Sequence, residues 1–160
     1  MTAPAIIMVA PNGARRDKRD HPALPLHIAE TAAEAARCQA AGFSVLHAHV
    51  RDEKDEHTLD SGLYRELIAE VGRCAPGMWV QITTEALGRY SVSEQVACVQ
   101  ALQPPMASVA LREMCREGDK AASAFYHWAA EAGVHIQHIL PACGSTPPRT
   151  AAAASAPSAS

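Results

Sequence analysis

Two histidines one residue apart, His47-Ala48-His49, stand near the end of the apolar run "FSVLHAHVRD". On a strand, period-two geometry places both imidazoles on one face and Ala48 on the other. A Cα advance of about 6.6–6.8 Å then lets the two rings converge on a single metal ion. Neutral imidazole is a normal zinc ligand, and a catalytic zinc takes three protein ligands plus water. An isolated pair of this kind also describes two polar residues near a strand end, so its neighbours matter. Arg51-Asp52 follows at once, and in parallel α/β architectures such strand ends carry the active site.

A second polar row lies in "QITTE", where Gln81, Thr83 and Glu85 share one face of what should be a mostly apolar strand. Buried polar groups need partners, so the row signals either a hydrogen-bond network or a ligand site. "PNGARR" closes an earlier strand with Arg15 and Arg16, without the spacing of a phosphate loop or a dinucleotide fingerprint. In "MASVALRE", read as a strand, Ser108, Ala110 and Arg112 share a face. In "VHIQHIL", His135 and Gln137 lie opposite Ile136 and His138, and His138 is either a group near the substrate or a core histidine. No GxSxG elbow, HExxH pair or close thiol–imidazole pair occurs. The residues alone therefore point to metal-assisted chemistry on an oxygen-bearing anion, with zinc as Lewis acid. Glu85 is the nearest carboxylate candidate for a third ligand, though nothing in its spacing requires that role.

The elements that must position these groups alternate in type. "AIIMVA", "FSVLHAHV", "GMWVQITTE", "MASVALRE" and "VHIQHIL" read as strands. Helices are expected from about Ile28 to Ala40 stopped by Gly42, after a cap at Asp60 or Ser61, after a cap at Ser91 or Ser93, and from Asp119 to Gly133. This is the pattern of consecutive βαβ units, with parallel strands and right-handed crossovers. Phe125, Tyr126 and Trp128 are expected to pack one helix against the sheet.

The chain has 160 residues, whereas a complete eight-fold β/α barrel typically takes about 250. Apolar residues make up 48%, and 14 Lys and Arg against 17 Asp and Glu give a net charge of -3. That balance describes a soluble globular chain and excludes both a disordered acidic chain and a basic nucleic-acid binder. The five scattered cysteines, Cys143 among them, contain no CxxC pair and fit a reduced compartment. The apolar start is too short for a membrane span and has the wrong flanks for a signal peptide, so a cytoplasmic location without membrane contact is expected. Residues 144–160, rich in Pro, Ala, Ser and Thr, are expected to form a disordered low-complexity tail from about Pro147 onward, after a domain over residues 1–143.

Taken together, "APNGARRDKRDHPALPL", "HAHVRD", "GLYRELI", "QITTEALGRYS", "ASVALRE" and "FYHWAAEAGVHIQHIL" resemble the beta-keto acid cleavage enzymes, the group that includes 3-keto-5-aminohexanoate cleavage enzyme. The resemblance runs from about Ile6 to Leu140, with its motifs in order. It implies a (β/α)8 barrel, a divalent metal that is usually zinc, and homo-oligomers. The implied reaction converts a β-keto acid plus acetyl-CoA into acetoacetate and a new CoA thioester, a transferase activity. His47 and His49 match the metal-binding histidines, while Thr83 and Ser108 match substrate-binding positions. Some members carry a glutamate where this chain has Arg15, a departure that argues against an amino-substituted substrate.

The family's third ligand, a glutamate, and its essential Arg and Asp belong to a late barrel strand. They have no match here, and Glu85 or Arg112 should not be promoted to fill their roles. The expectation is thus an incomplete (β/α)8 TIM barrel with about five parallel strands in order 1-2-3-4-5, inactive by itself, its catalytic residues unknown. The tail reads as a changed frame or a truncated gene. The alternatives are another metal-dependent barrel lyase or aldolase, or a non-catalytic truncated product. An open sheet of this kind should expose apolar edge strands and half-built interior layers lined by Val45, Val80 and Val109, and should be prone to aggregate.

Overall fold

The computed structural model describes residues 5–140; the cysteine at 143 and the low-complexity segment 144–160 lie outside them, with the disorder expected there. Five parallel strands form one sheet: β1 (Met8–Val9), β2 (Val45–Ala48), β5 (Trp79–Thr83), β6 (Met106–Ala110) and β7 (His135–Ile139), adjacent in that order. The sheet is open and curled into a half-barrel. The expected order of five sequential parallel strands is what the sheet shows. A small antiparallel pair, β3 (Val50–Arg51) with β4 (His57–Thr58), is inserted directly after β2 and has no counterpart among the expected elements.

The crossovers are α1 (Ile28–Ala40), α2 (Ser61–Cys74), α3 (Val92–Leu102) and α5 (Asp119–Glu131), with a one-turn α4 (Leu111–Met114) leading into a 3₁₀ turn at Cys115–Glu117. Local chemistry sets their ends. Asp60 caps α2 by accepting from Leu63 N at 2.9 Å. Ser91 and Glu94 form a reciprocal box at the start of α3, Glu94 N donating to Ser91 Oγ at 3.2 Å and Ser91 N to Glu94 Oε2 at 2.8 Å, satisfying two N–H groups that the helix itself cannot. After α1 the chain turns through Gly42 at φ 96°, a backbone region that a side chain disfavours.

The register divides the sheet into two chemically distinct faces. Leu46, Ala48, Val80, Ile82, Ala107 and Val109 point to the helices and form the core with Ala32, Ala35, Leu67, Val71, Val99, Phe125 and Ala129. Burying a side chain such as Leu67 stabilises by about 1.5–3 kcal/mol, so this layer is where the fold's cohesion resides. The opposite, concave face carries Val45 and His47, Trp79, Gln81 and Thr83, Met106 and Ser108, then His135 and Gln137. Val80 and Val109 therefore do not share the interior with Val45 as expected. The inward parity is that of the polar row His47, Gln81, Thr83 and Ser108, one residue out of step with the valines at 80 and 109, which pack under the helices.

"MASVALRE" also divides. The strand stops at Ala110 and the chain enters α4, so Arg112 leaves the strand face and is exposed, while Glu113 Oε2 accepts from Ala86 N at 3.2 Å. At the rims of the sheet Ile6, Ile7, Ile139 and Leu140 are exposed, as is Trp79 on the concave face. No helix among the described residues is long and apolar enough to cross a membrane.

Candidate functional site

At the C-terminal end of β2, His47 and His49 turn their rings toward each other, Nε2 to Nε2 at 3.3 Å and centroids 5.2 Å apart. His47 Nδ1–H donates to Gln81 Oε1 at 2.7 Å, and the Gln81 amide donates onward to Gln137 Oε1 at 2.7 Å. This chain of bonds across three strands fixes the His47 tautomer and directs the Nε2 lone pair inward, a usual arrangement behind a metal-binding imidazole. Two nitrogens each 2.0–2.1 Å from a tetrahedral zinc lie about 3.3–3.4 Å apart. The observed pair fits two corners of such a site. Among the described residues no group of three or more His, Cys, Asp or Glu side chains converges to hold a metal.

His49 is held at both ends of its peptide unit. Asn12, buried after β1, donates from Nδ2 to His49 O at 2.9 Å and accepts from His49 N at 3.2 Å. The His49 ring also packs edge-on against His57 of β4, centroids 4.9 Å apart. His57, 1% exposed, bonds through Nε2 to Glu85 O at 2.9 Å, and its Nδ1 has no partner among the described residues. Burial first, then the neighbouring His57, His47 and Arg51, pushes His49 down to about 2. Burial likewise lowers His57 against the opposing effect of the Glu85 carbonyl. Both rings are therefore neutral at pH 7, which leaves a lone pair available on each.

Thr83 and Ser108 face each other across β5 and β6 on the same concave face. Thr83 Oγ1 accepts from Glu85 N at 3.2 Å and Thr83 O accepts from Tyr64 OH at 3.1 Å, while buried Ser108 Oγ has no partner among the described residues. Both hydroxyls thus retain a proton to donate. The polar row in β5 is divided in use: Gln81 serves the histidine network, Thr83 stays on the concave face, and Glu85 lies beyond the strand, paired with Arg15 at 3.2 Å. His138 fills neither of its expected roles, since it is exposed on the opposite face beside Tyr126, 5.0 Å between rings.

Three contributors escaped the sequence reading or were underrated by it. Asn12 was only part of a turn, and His57 sat in the charged run "RDEKDEH", whose composition reads as loop. Arg51 is buried and donates to Gly13 O, Ala14 O, Arg16 O and Asp55 O at 2.5–3.2 Å, tying the loop after β1 to the β3–β4 hairpin.

The family model described as BKACE, beta-keto acid cleavage enzyme, matches residues 4–144. The chain belongs to the beta-keto acid cleavage enzyme family. Among curated relatives, the 3-oxoadipate:acetyl-CoA acetyltransferase of Cupriavidus necator is 31% identical over 110 residues, 69% of this chain and 38% of that protein. The 3-keto-5-aminohexanoate cleavage enzyme of Fusobacterium nucleatum is 34% identical over 79 residues, 49% of this chain and 29% of that protein. The family member described here thus aligns with well under half the length of either relative. Of solved structures, apo ObcA superposes with a TM-score of 0.58 at 16% identity over 73% of this chain and 30% of its own. MenC from Desulfotalea psychrophila gives 0.52 at 14% identity over 86% and 32%. At such identities these likenesses concern the fold alone.

Proposed function

We propose that the concave end of the sheet is the metal-binding and keto-acid-binding half of a beta-keto acid cleavage site. The 3.3 Å approach of His47 Nε2 to His49 Nε2, backed by the His47–Gln81 bond, carries this reading. His47 and His49 would hold a zinc ion, which when bound polarises a keto oxygen and offsets developing negative charge. Thr83 and Ser108 donate hydrogen bonds to the carboxylate or carbonyl of the β-keto acid, and Gln81 keeps the His47 lone pair aimed. The two relatives suggest the substrate classes: acetyl-CoA with 3-oxoadipate, or an amino-substituted keto acid. Arg15, a cation near this strand end, argues against the amino-substituted one.

Two imidazoles are fewer than the three protein ligands of a catalytic zinc. This chain by itself is therefore proposed to bind zinc weakly and to turn over at the assay floor, and homo-oligomer formation belongs to the same reading. The test is calorimetric titration of 3-oxoadipate and acetoacetate into the zinc-saturated chain, alongside Thr83→Val and Ser108→Ala, with acetoacetate formation from acetyl-CoA assayed in parallel. Keto-acid binding that weakens about tenfold in each variant supports the reading. Binding unchanged in both variants overturns the assignment of Thr83 and Ser108, and robust turnover by the pure chain overturns the half-site.

A further inference from the structure

Strands of parallel sheets are ordinarily enclosed on both faces, and β7 is not. Its residues are exposed apart from Ile136, which is partly covered. At the opposite edge Ile6, 76% exposed, and Ile7 lead into β1, while Ile139 and Leu140 close β7. Trp79 stands exposed on the concave face between the two edges.

Both edges also present backbone groups that no neighbouring strand among the described residues takes up. His135 N donates to Pro105 O at 3.1 Å, toward β6. Successive residues of a strand alternate in direction, so the N–H groups of Ile136 and His138 point to the free edge. Ile7 O accepts from Ser44 N at 3.0 Å, toward β2, so the backbone groups of Ile6 and Met8 point to the free edge of β1. Edges of this kind pair with another strand unless charge, proline or a covering element blocks them. Residues 5–9 and 135–140 contain no Asp, Glu, Lys, Arg or Pro.

Shape, charge and composition together select the occupant. Ile6, before β1, and His135, of β7, belong to opposite edges, yet they line one cavity of about 410 Å³ with Val45, Trp79 and Met106. The sheet is thus curled into half a barrel, and a head-to-tail contact that turns half a circle per copy closes with two copies. Two concave faces do not stack on each other; they meet at their rims. None of the inward-facing strand residues, from Val45 and Trp79 to Gln137, is Asp, Glu, Lys or Arg, so a second copy sets no like charges opposite them. Residues 1–4 and 141–160 contain one large apolar side chain, Met1, so their composition offers no apolar cover for the face.

We propose that two copies of this chain close on each other, β7 of each lying parallel beside β1 of the other, in a twofold pair around one interior. A twofold axis along the barrel keeps all strands parallel and brings the two His47–His49 pairs to the same end. The proposal concerns the sheet edges and holds with or without metal.

Sedimentation of the 160-residue chain with a chelator present, over a wide range of concentration, reads the assembly, and amide hydrogen exchange reads the edges. The expected result is a concentration-dependent dimer of twice 17.0 kDa, in which the Ile136 and His138 amides exchange at least tenfold more slowly than in the diluted chain. His138→Pro removes a free-edge N–H and no bond to β6, a position where an edge strand tolerates proline. Its dimer dissociation constant should rise at least tenfold, with the circular dichroism unchanged. Exchange in the unaltered chain tests the same claim without any variant. A chain that stays monomeric at every concentration, or that polymerises without forming a dimer, overturns the proposal. A dimer in which those two amides exchange as fast as in the diluted chain, or which a folded His138→Pro variant weakens less than twofold, is formed by another surface and overturns it as well.

Discussion

Acidification to pH 5 should weaken the fold well before carboxylates begin to protonate, because two neutral imidazoles are sealed into the site. His49 is 4% exposed and His57 1%, and burial lowers both, His49 to about 2. In the unfolded chain each titrates near the ordinary histidine value of about 6.5. Below that value the unfolded chain binds a proton that folded His49 refuses, so stability is fully present above about pH 6.5 and falls as pH drops. At about 1.4 kcal/mol per unit, His49 alone removes about 2 kcal/mol between pH 7 and pH 5, and His57 adds to the loss in the same direction. Set against a total of about 5–15 kcal/mol for an ordinary domain, that is a large fraction. Urea unfolding followed by Trp79 and Trp128 fluorescence, at pH 7, 6 and 5 with a chelator present, measures it. His49→Gln should flatten the slope by about 1.4 kcal/mol per pH unit. A stability that is level from pH 7 to pH 5, or a slope unaltered by His49→Gln, would refute the burial argument.

Three other substitutions probe the supports of the site and the rim of the sheet. Asn12→Ala removes both bonds to the His49 peptide and should cost about 1–3 kcal/mol by urea unfolding, with a fall in zinc affinity if the clamp positions His49. Tyr64→Phe leaves Thr83 O without the donor it has at 3.1 Å and should cost about 1–2 kcal/mol in the same measurement. Ile139→Lys places a charge on the exposed rim formed by Ile139 and Leu140; it should reduce hydrophobic-dye binding and light scattering relative to the unaltered chain.

Much of the architecture was legible because its signals are local. Runs such as "GMWVQITTE" and the candidate caps Ser91 and Ser93 announce a strand and a helix start without reference to the rest of the chain, and the structure assigns the cap to Ser91. The pairing of His47 with His49 was legible for the same reason, since period two fixes their common face whatever surrounds the strand. What stayed hidden depends on distant partners. Asn12 and His49 are 37 residues apart in sequence, and Gln81 and Gln137 are 56 apart; nothing in either segment names the other. His57 was concealed by its charged neighbours, because the β3–β4 hairpin is held by Arg51 reaching back to the carbonyls of the β1 loop, not by an apolar pattern of its own. Arg112 was misplaced where a strand turns directly into α4 without an intervening breaker.

The most direct test of the central claim is zinc titration by chelator competition, comparing the unaltered chain with the double variant His47→Ala, His49→Ala. Convergence of the two Nε2 atoms at 3.3 Å predicts weak but saturable binding of one zinc per unaltered chain and none by the variant. Equal zinc affinity in the two proteins would contradict the assignment of His47 and His49 as the metal-binding pair.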